Sequence, residues 1–262
     1  RFDGVDSPKA VLAAARARGI GAIAITDHNV IEGWQYARRH KLDEKTGVLV
    51  VPAEEVATAD GHMIALGITE RVPPGLGVEE TIDIVHDQGG LTIGVHPFDI
   101  KGDGMKNKAL LCDLVEIFNA INIDRHSNNK IARLAQLHKK RAVAGSDAHS
   151  AAMIGHGLMS IDGETVDDLL ASLRRGAFRI ERTKYHSIIT MKDLSTRRLI
   201  MSSDHVFKYI ATNYSGMKKI LSNKMLSFTV RSNGNHPFIT ALSYFSLGCI
   251  FAYSTTRQLF NP

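Results

Sequence analysis

The 262-residue chain is 44% hydrophobic and 23% charged, with a net charge of +5 and two cysteines. That length suits one large domain, or one domain with an appendage. The composition excludes collagen, low-complexity disorder and a disulfide-stapled scaffold. Cys112 and Cys249 are too few for a thiolate metal site, and a reduced, cytoplasmic setting is expected.

The chain begins with Arg1, and Ser7-Pro8 is a helix start: a hydroxyl cap followed by proline at the first helical position. The helix continues through Val11–Arg18 and stops at Gly19. Gly21-Ala-Ile-Ala-Ile25 reads as a short buried strand. Asn29 is placed to cap a helix reaching about to His40. Gly47–Val51 and Met63–Ile68 are the next strands. A helix over Glu79–Gln88 ends at Gly89-Gly90, and Leu91–Val95 is a strand again. Leu114–Phe118, Ala142–Ala144 and Phe178–Ile180 are further strands, with helices over Asn128–Lys139 and Thr165–Arg175. Strand and helix in alternation predict parallel strands covered by helices, and about seven units in 183 residues suggest a compact α/β barrel.

The polar residues at the strand ends carry the chemistry. Thr26-Asp27-His28 follows the first strand and Glu54-Glu55 the second. His62 opens the third, His96 follows Leu91–Val95, and Asp147 and His149 follow Ala142–Ala144. In parallel α/β folds functional groups gather at the carboxyl ends of strands. Imidazoles and carboxylates without cysteine suit Zn, Mn or Fe. Each residue alone has a plainer reading: His62 as a hydrogen-bonded surface histidine, Asp147 as a helix cap, Glu55 as a surface ion pair. Their recurrence at four strand ends favours a metal site.

The composition changes near Arg182–Lys184. Residues 184–262 hold ten Lys+Arg and two acids, and eleven of the sixteen Phe+Tyr. Residues 1–183 carry a net −3. The chain therefore reads as a mildly acidic domain, 1–183, and a basic, aromatic-rich extension, 184–262. Such an extension could meet nucleic acid or an anionic membrane surface, or simply pack on the main domain. Its apolar run Phe238–Tyr253 is shorter than a membrane span and is expected to form a buried or interfacial helix.

Four segments together resemble one family: Gly19-Ile-Gly-Ala-Ile-Ala-Ile-Thr-Asp-His28, Asp60-Gly-His-Met-Ile-Ala-Leu-Gly67, Gly89-Gly-Leu-Thr-Ile-Gly-Val-His-Pro97 and Ala144-Gly-Ser-Asp-Ala-His149. In order and spacing they are similar to the PHP family, the polymerase and histidinol phosphatase domains, across residues 1–183. The resemblance implies a distorted (β/α)7 barrel, up to three divalent metal ions and hydrolysis of a phosphoester by a metal-activated water. It implies metal ligands at Asp3, His28, Glu55, His62, His96, Asp147 and His149, with Glu55, Asp147 and His149 central to catalysis and Asp27 orienting a ligand. Glu54 is the neighbouring alternative to Glu55.

The family's opening strand carries H-x-H just before a segment like Phe2-Asp3-Gly4. The sequence starts at Arg1, so both histidines are missing from it, a trimmed start is expected, and the chain as it stands should hydrolyse weakly. The expected activity is that of a metal-dependent phosphoric ester hydrolase acting on a phosphorylated small molecule or nucleotide. The alternative is a degenerate PHP domain that binds or regulates without catalysis. An amidohydrolase on a similar barrel fits the Asp-Gly-His and Ser-Asp-Ala-His segments less well.

Overall fold

In a computed structural model, which describes residues 4–122 and 124–260, the first element is helix α1 (Pro8–Ala17), where the Ser7 hydroxyl accepts from the Ala10 amide. Strand β1 (Ala22–Ile25) runs parallel to β2 (Leu49–Thr58), with α2 (Glu32–Arg39) and α3 (Leu42–Thr46) between them. Asn29 does not cap α2. Its backbone is left-handed at φ 55°, its amide donates to the Glu55 carbonyl, and its side-chain oxygen accepts from Ala57. It ties the β1 loop to β2, which holds Asp27 and His28 beside the second strand.

Strand β2 is longer than the sequence suggests, so Glu54 and Glu55 lie within it. It turns back at once into β3 (Gly61–Leu66), paired antiparallel, and β3 pairs antiparallel with β4 (Leu91–Gly94). The expected all-parallel pattern therefore fails at β3. The connection Ala59-Asp60 is too short for a crossover, and parallel neighbours need a dozen residues or more. Helix α4 (Val78–Asp87) then leads into β4. Beyond it, β5 (Leu114–Asn119), α5 (Arg125–Leu137) and β6 (Arg141–Gly145) continue in parallel, giving the strand order β1-β2-β3-β4-β5-β6. This is a mixed α/β fold built on a curled half-barrel sheet.

A second sheet pairs β7 (Gly157–Ile161) with β8 (Phe178–Thr183), antiparallel, around α6 (Val166–Arg175). Strand β7 carries no alternation and every residue is half-buried, which is why the apolar pattern does not announce it. It abuts β6 so closely that a Cβ on Gly157 would stand 2.3 Å from the Gly145 carbonyl. Leu169, Leu170 and Leu173 of α6 share a core with Val51, Leu66, Leu91, Leu114 and Val143 from the six-stranded sheet.

Residues 188–260 form four helices: α7 (Ile188–Met201), α8 (Ser203–Asn213), α9 (Gly216–Arg231) and α10 (Pro237–Phe260). Polar contacts of Arg197 and Ser254 tie them to the rest. Arg197 of α7 forms an ion pair with Asp6 at 2.6 Å, and Ser254 of α10 donates to Asp124 at 3.4 Å. The Phe238–Tyr253 run is a helix, as expected, but it is not buried: Phe238, Phe245 and Tyr253 are more than half exposed.

Candidate metal centre

The parallel β1–β2 pairing brings His28 opposite Glu55, and the β2–β3 hairpin puts His62 opposite Ala57, diagonal to Glu55 on the same face. Residues two apart on a strand share a face and neighbours do not. The register therefore separates the two glutamates. Glu55 lies among histidines, while Glu54 is fully buried on the other side, accepting from the Val72 amide at 3.0 Å. Burial pushes the Glu54 carboxyl up to about 7 despite that bond. Alternation along β2 thus turns Glu55, and not Glu54, toward the histidines.

Around Glu55 the distances are short. His62 Nδ1 lies 3.0 Å from Oε1, His96 Nε2 lies 3.2 Å from the same oxygen, and His28 Nε2 stands 4.0 Å from Oε2. The His28 and His62 rings are 4.9 Å apart, and His62 and His96 5.5 Å. Burial opposes the Glu55 charge, yet the His62 and His96 imidazoles hold the carboxyl far below its usual range. Burial likewise opposes a charge on His96, but the Glu55 carboxylate outweighs it and pushes the imidazole up to about 9.

His96 reaches this position through a left-handed backbone, φ 30°, and its amide donates to Glu116 Oε2 at 2.8 Å. Glu116 is buried in β5, and burial pushes its carboxyl up to about 7. Asn119 is buried beside it and donates to Glu116 at 3.0 Å and to Asp147 at 3.1 Å. Asp147 also sits in left-handed backbone, at φ 44°, and its carbonyl is 2.8 Å from His149 Nδ1. A chain of polar groups thus runs from Glu55 through His96, Glu116 and Asn119 to Asp147. The sequence reading missed Glu116 and Asn119. The available signal was a carboxylate inside the apolar run Leu114-Val-Glu-Ile-Phe118.

Of the remaining expected residues, Asp27 lies against the start of α2, where a Cβ on Gly33 would stand 2.3 Å from its Oδ2. Asp3 falls outside the described residues. The segment after it passes the site, because the Val5 amide donates to the His149 carbonyl at 2.8 Å. His186, from the extension, approaches the same loop, with Nε2 3.0 Å from the Ser146 carbonyl. Its ring stacks on His156 at 4.2 Å.

The donor set fits a divalent cation. His28, Glu55 and His62 each offer a ligand atom, all within 4.8 Å of one another. The Nδ1 atoms of His62 and His96 are buried without an aligned hydrogen bond: that of His62 lies 3.0 Å from Glu55 Oε1, and that of His96 lies 4.0 Å from Asp99 Oδ1. A buried imidazole nitrogen beside a carboxylate, without an aligned hydrogen bond, is a position that a cation would satisfy.

Parts of the sequence and the fold have counterparts among known proteins. The family model described as PHP-associated matches residues 125–178, from α5 to the first residue of β8. An uncharacterized protein of Methanocaldococcus jannaschii is 41% identical over 129 residues, covering 48% of this chain and 74% of that protein. A second uncharacterized protein of the same organism is 30% identical over 158 residues, 56% of this chain and 61% of its own length. Among solved structures, a two-domain protein from Bacteroides vulgatus containing a predicted PHP-like metal-dependent phosphoesterase superposes with a TM-score of 0.57 at 15% identity. That match covers 70% of this chain and 62% of that one. A predicted metal-dependent phosphoesterase from Bifidobacterium adolescentis superposes with a TM-score of 0.51 at 17% identity, covering 64% and 92%. At these identities the structures speak for the fold. With four family motifs in order, three of their histidines gathered around one buried glutamate, and these relatives, the chain belongs to the PHP family.

Proposed function

We propose that the chain is a metal-dependent phosphoesterase whose cations are held by His28, Glu55, His62, His96, Asp147 and His149, with Asp3 as a further ligand, on a distorted seven-unit barrel. The observation that carries this is Glu55, a buried carboxylate with the His62 and His96 nitrogens at 3.0 and 3.2 Å and His28 at 4.0 Å. Bound divalent cations would neutralise phosphate oxygens and make water a competent nucleophile near neutral pH. The chain's own groups do the rest. Glu116 and Asn119 fix the His96 backbone and the Asp147 carboxylate, so that both face the same space. Asn119 donates to Asp147, which keeps one carboxylate oxygen oriented. The substrate class is a phosphomonoester or nucleotide, and no cysteine or serine nucleophile is needed.

The test is elemental analysis of the purified full chain after reconstitution with Zn, Mn or Fe, together with turnover of a generic phosphomonoester. Metal should bind, and hydrolysis should depend on it. Glu55→Gln should lose metal and lower turnover by roughly 10²–10³, the scale for one charge-stabilising group. Glu54→Gln, on the other side of the strand, should keep its metal. A chain that takes up no transition metal overturns the reading. A chain that binds metal through Glu55 yet hydrolyses no phosphomonoester or nucleotide is instead a PHP domain with a binding or regulatory role.

A further inference from the structure

The C-terminal helices expose an apolar surface that the fold leaves uncovered. Among the described residues, the large exposed hydrophobics are almost confined to this region; only Tyr36, Ile100, Leu111 and Leu137 lie elsewhere. On α9, Met217, Ile220, Leu221 and Met225 are exposed at helical spacing and form one outward stripe. On α10, Phe238, Leu242, Phe245 and Tyr253 do the same. Residues Pro237–Thr256 have a mean hydropathy of 1.4 and are only 11% buried within the fold. A helix apolar on all sides belongs in a core or in lipid, and contiguous exposed patches of this kind mark docking surfaces.

Charge selects the occupant. Exposed Lys218 borders the α9 stripe and exposed Lys224 lies within it, with Lys208 and Arg231 nearby in the chain, and residues 184–262 contain only two acids, Asp193 and Asp204. A second copy of the chain would bring the same lysines face to face across a two-fold axis. A nucleic acid would meet the lysines but leave the Phe and Leu side chains wet. An anionic bilayer satisfies both sets, taking apolar side chains into the acyl boundary and lysines at the headgroups. We infer that α9 and α10 dock this protein on the surface of an anionic membrane. The helices lie on that surface rather than cross it, because the Ser254–Asp124 bond and the buried Ile239 hold α10 to the fold.

The experiment is co-sedimentation of the full chain with vesicles of phosphatidylcholine alone and with phosphatidylglycerol added. Binding should require phosphatidylglycerol and weaken as salt screens the lysines. Phe245→Glu should weaken it roughly tenfold to hundredfold, the scale of losing one buried aromatic. Lys218→Gln and Lys224→Gln should each weaken it about fivefold. All three side chains are exposed, so circular dichroism and metal content should be unchanged. An alkaline carbonate wash should release the protein. Failure to bind either vesicle, equal binding to both, or retention after the wash would overturn surface docking. So would a dimer in the absence of lipid that Phe245→Glu turns into a monomer.

Discussion

Asn119 and Asp6 show how single side chains support the site without belonging to the expected ligands. Asn119 donates to Glu116 and Asp147 at once and accepts from the Ile121 and Asn122 amides. Groups that orient metal ligands are typically worth about 10–100-fold in metal affinity. Asn119→Ala should weaken metal binding by that order, measured by chelator competition on protein shown to be folded. Asp6 accepts from Arg197 and from the Ala151 amide, and the guanidinium holds its carboxyl below the usual range. A depressed folded value adds stability above the unfolded value of about 3.9, and that stability is lost as pH falls through the folded value. The stability gap between wild type and Asp6→Asn should therefore be full at neutral pH. It should close in acid, as read from urea midpoints across a pH series.

The decisive element is the β2–β3 hairpin. It makes Glu55 and His62 near neighbours across two strands, and its register turns Glu54 away. Strand β7 matters for a different reason, because its glycine lets it press on β6 just before the Asp147 loop. Gly157→Ala would place a methyl 2.3 Å from the Gly145 carbonyl, so backbone must move. Overpacking of this kind costs about 1–3 kcal/mol, and the displaced strand end should also lower metal affinity. Thermal unfolding and metal titration of the variant check both. Helix α6, by contrast, rests on a local device: a capping box in which Thr165 and Asp168 satisfy each other's backbone. Thr165→Ala should cost about 1 kcal/mol in chemical denaturation and leave the metal site intact.

For the molecule as a whole, the C-terminal helices contribute to the half-barrel as well as exposing a surface. Arg197 clamps Asp6, whose segment touches the His149 carbonyl through Val5, and Tyr185 bonds to Asn128 of α5 at 3.1 Å. Ending the chain after Thr183 would remove these contacts and the support they give to the Asp147–His149 loop. The shortened chain should melt at a lower temperature and hold metal less tightly than the whole chain, by calorimetry and competition. An unchanged melting point would mean the helices are an independent appendage.

The sequence by itself carried a good deal. Four strand-end motifs named the histidines and acids, hydrophobic runs located six of the eight strands closely, and Ser7-Pro8 announced its helix through local capping chemistry. These features are encoded within a few residues of each other, where propensity and side-chain chemistry act directly. What the tertiary structure decided was non-local. The pairing of β1, β2 and β3 put Glu55, and not Glu54, on the face that carries His28 and His62. Long-range burial turned Glu116, a charge inside an apolar run, into a support for His96. Asn29, with a side chain suited to capping, was recruited instead by a strand twenty-eight residues away. The exposed α10 followed the same rule: an apolar sequence fixes that a helix wants cover, and only the packing of its neighbours decides whether the fold itself provides it.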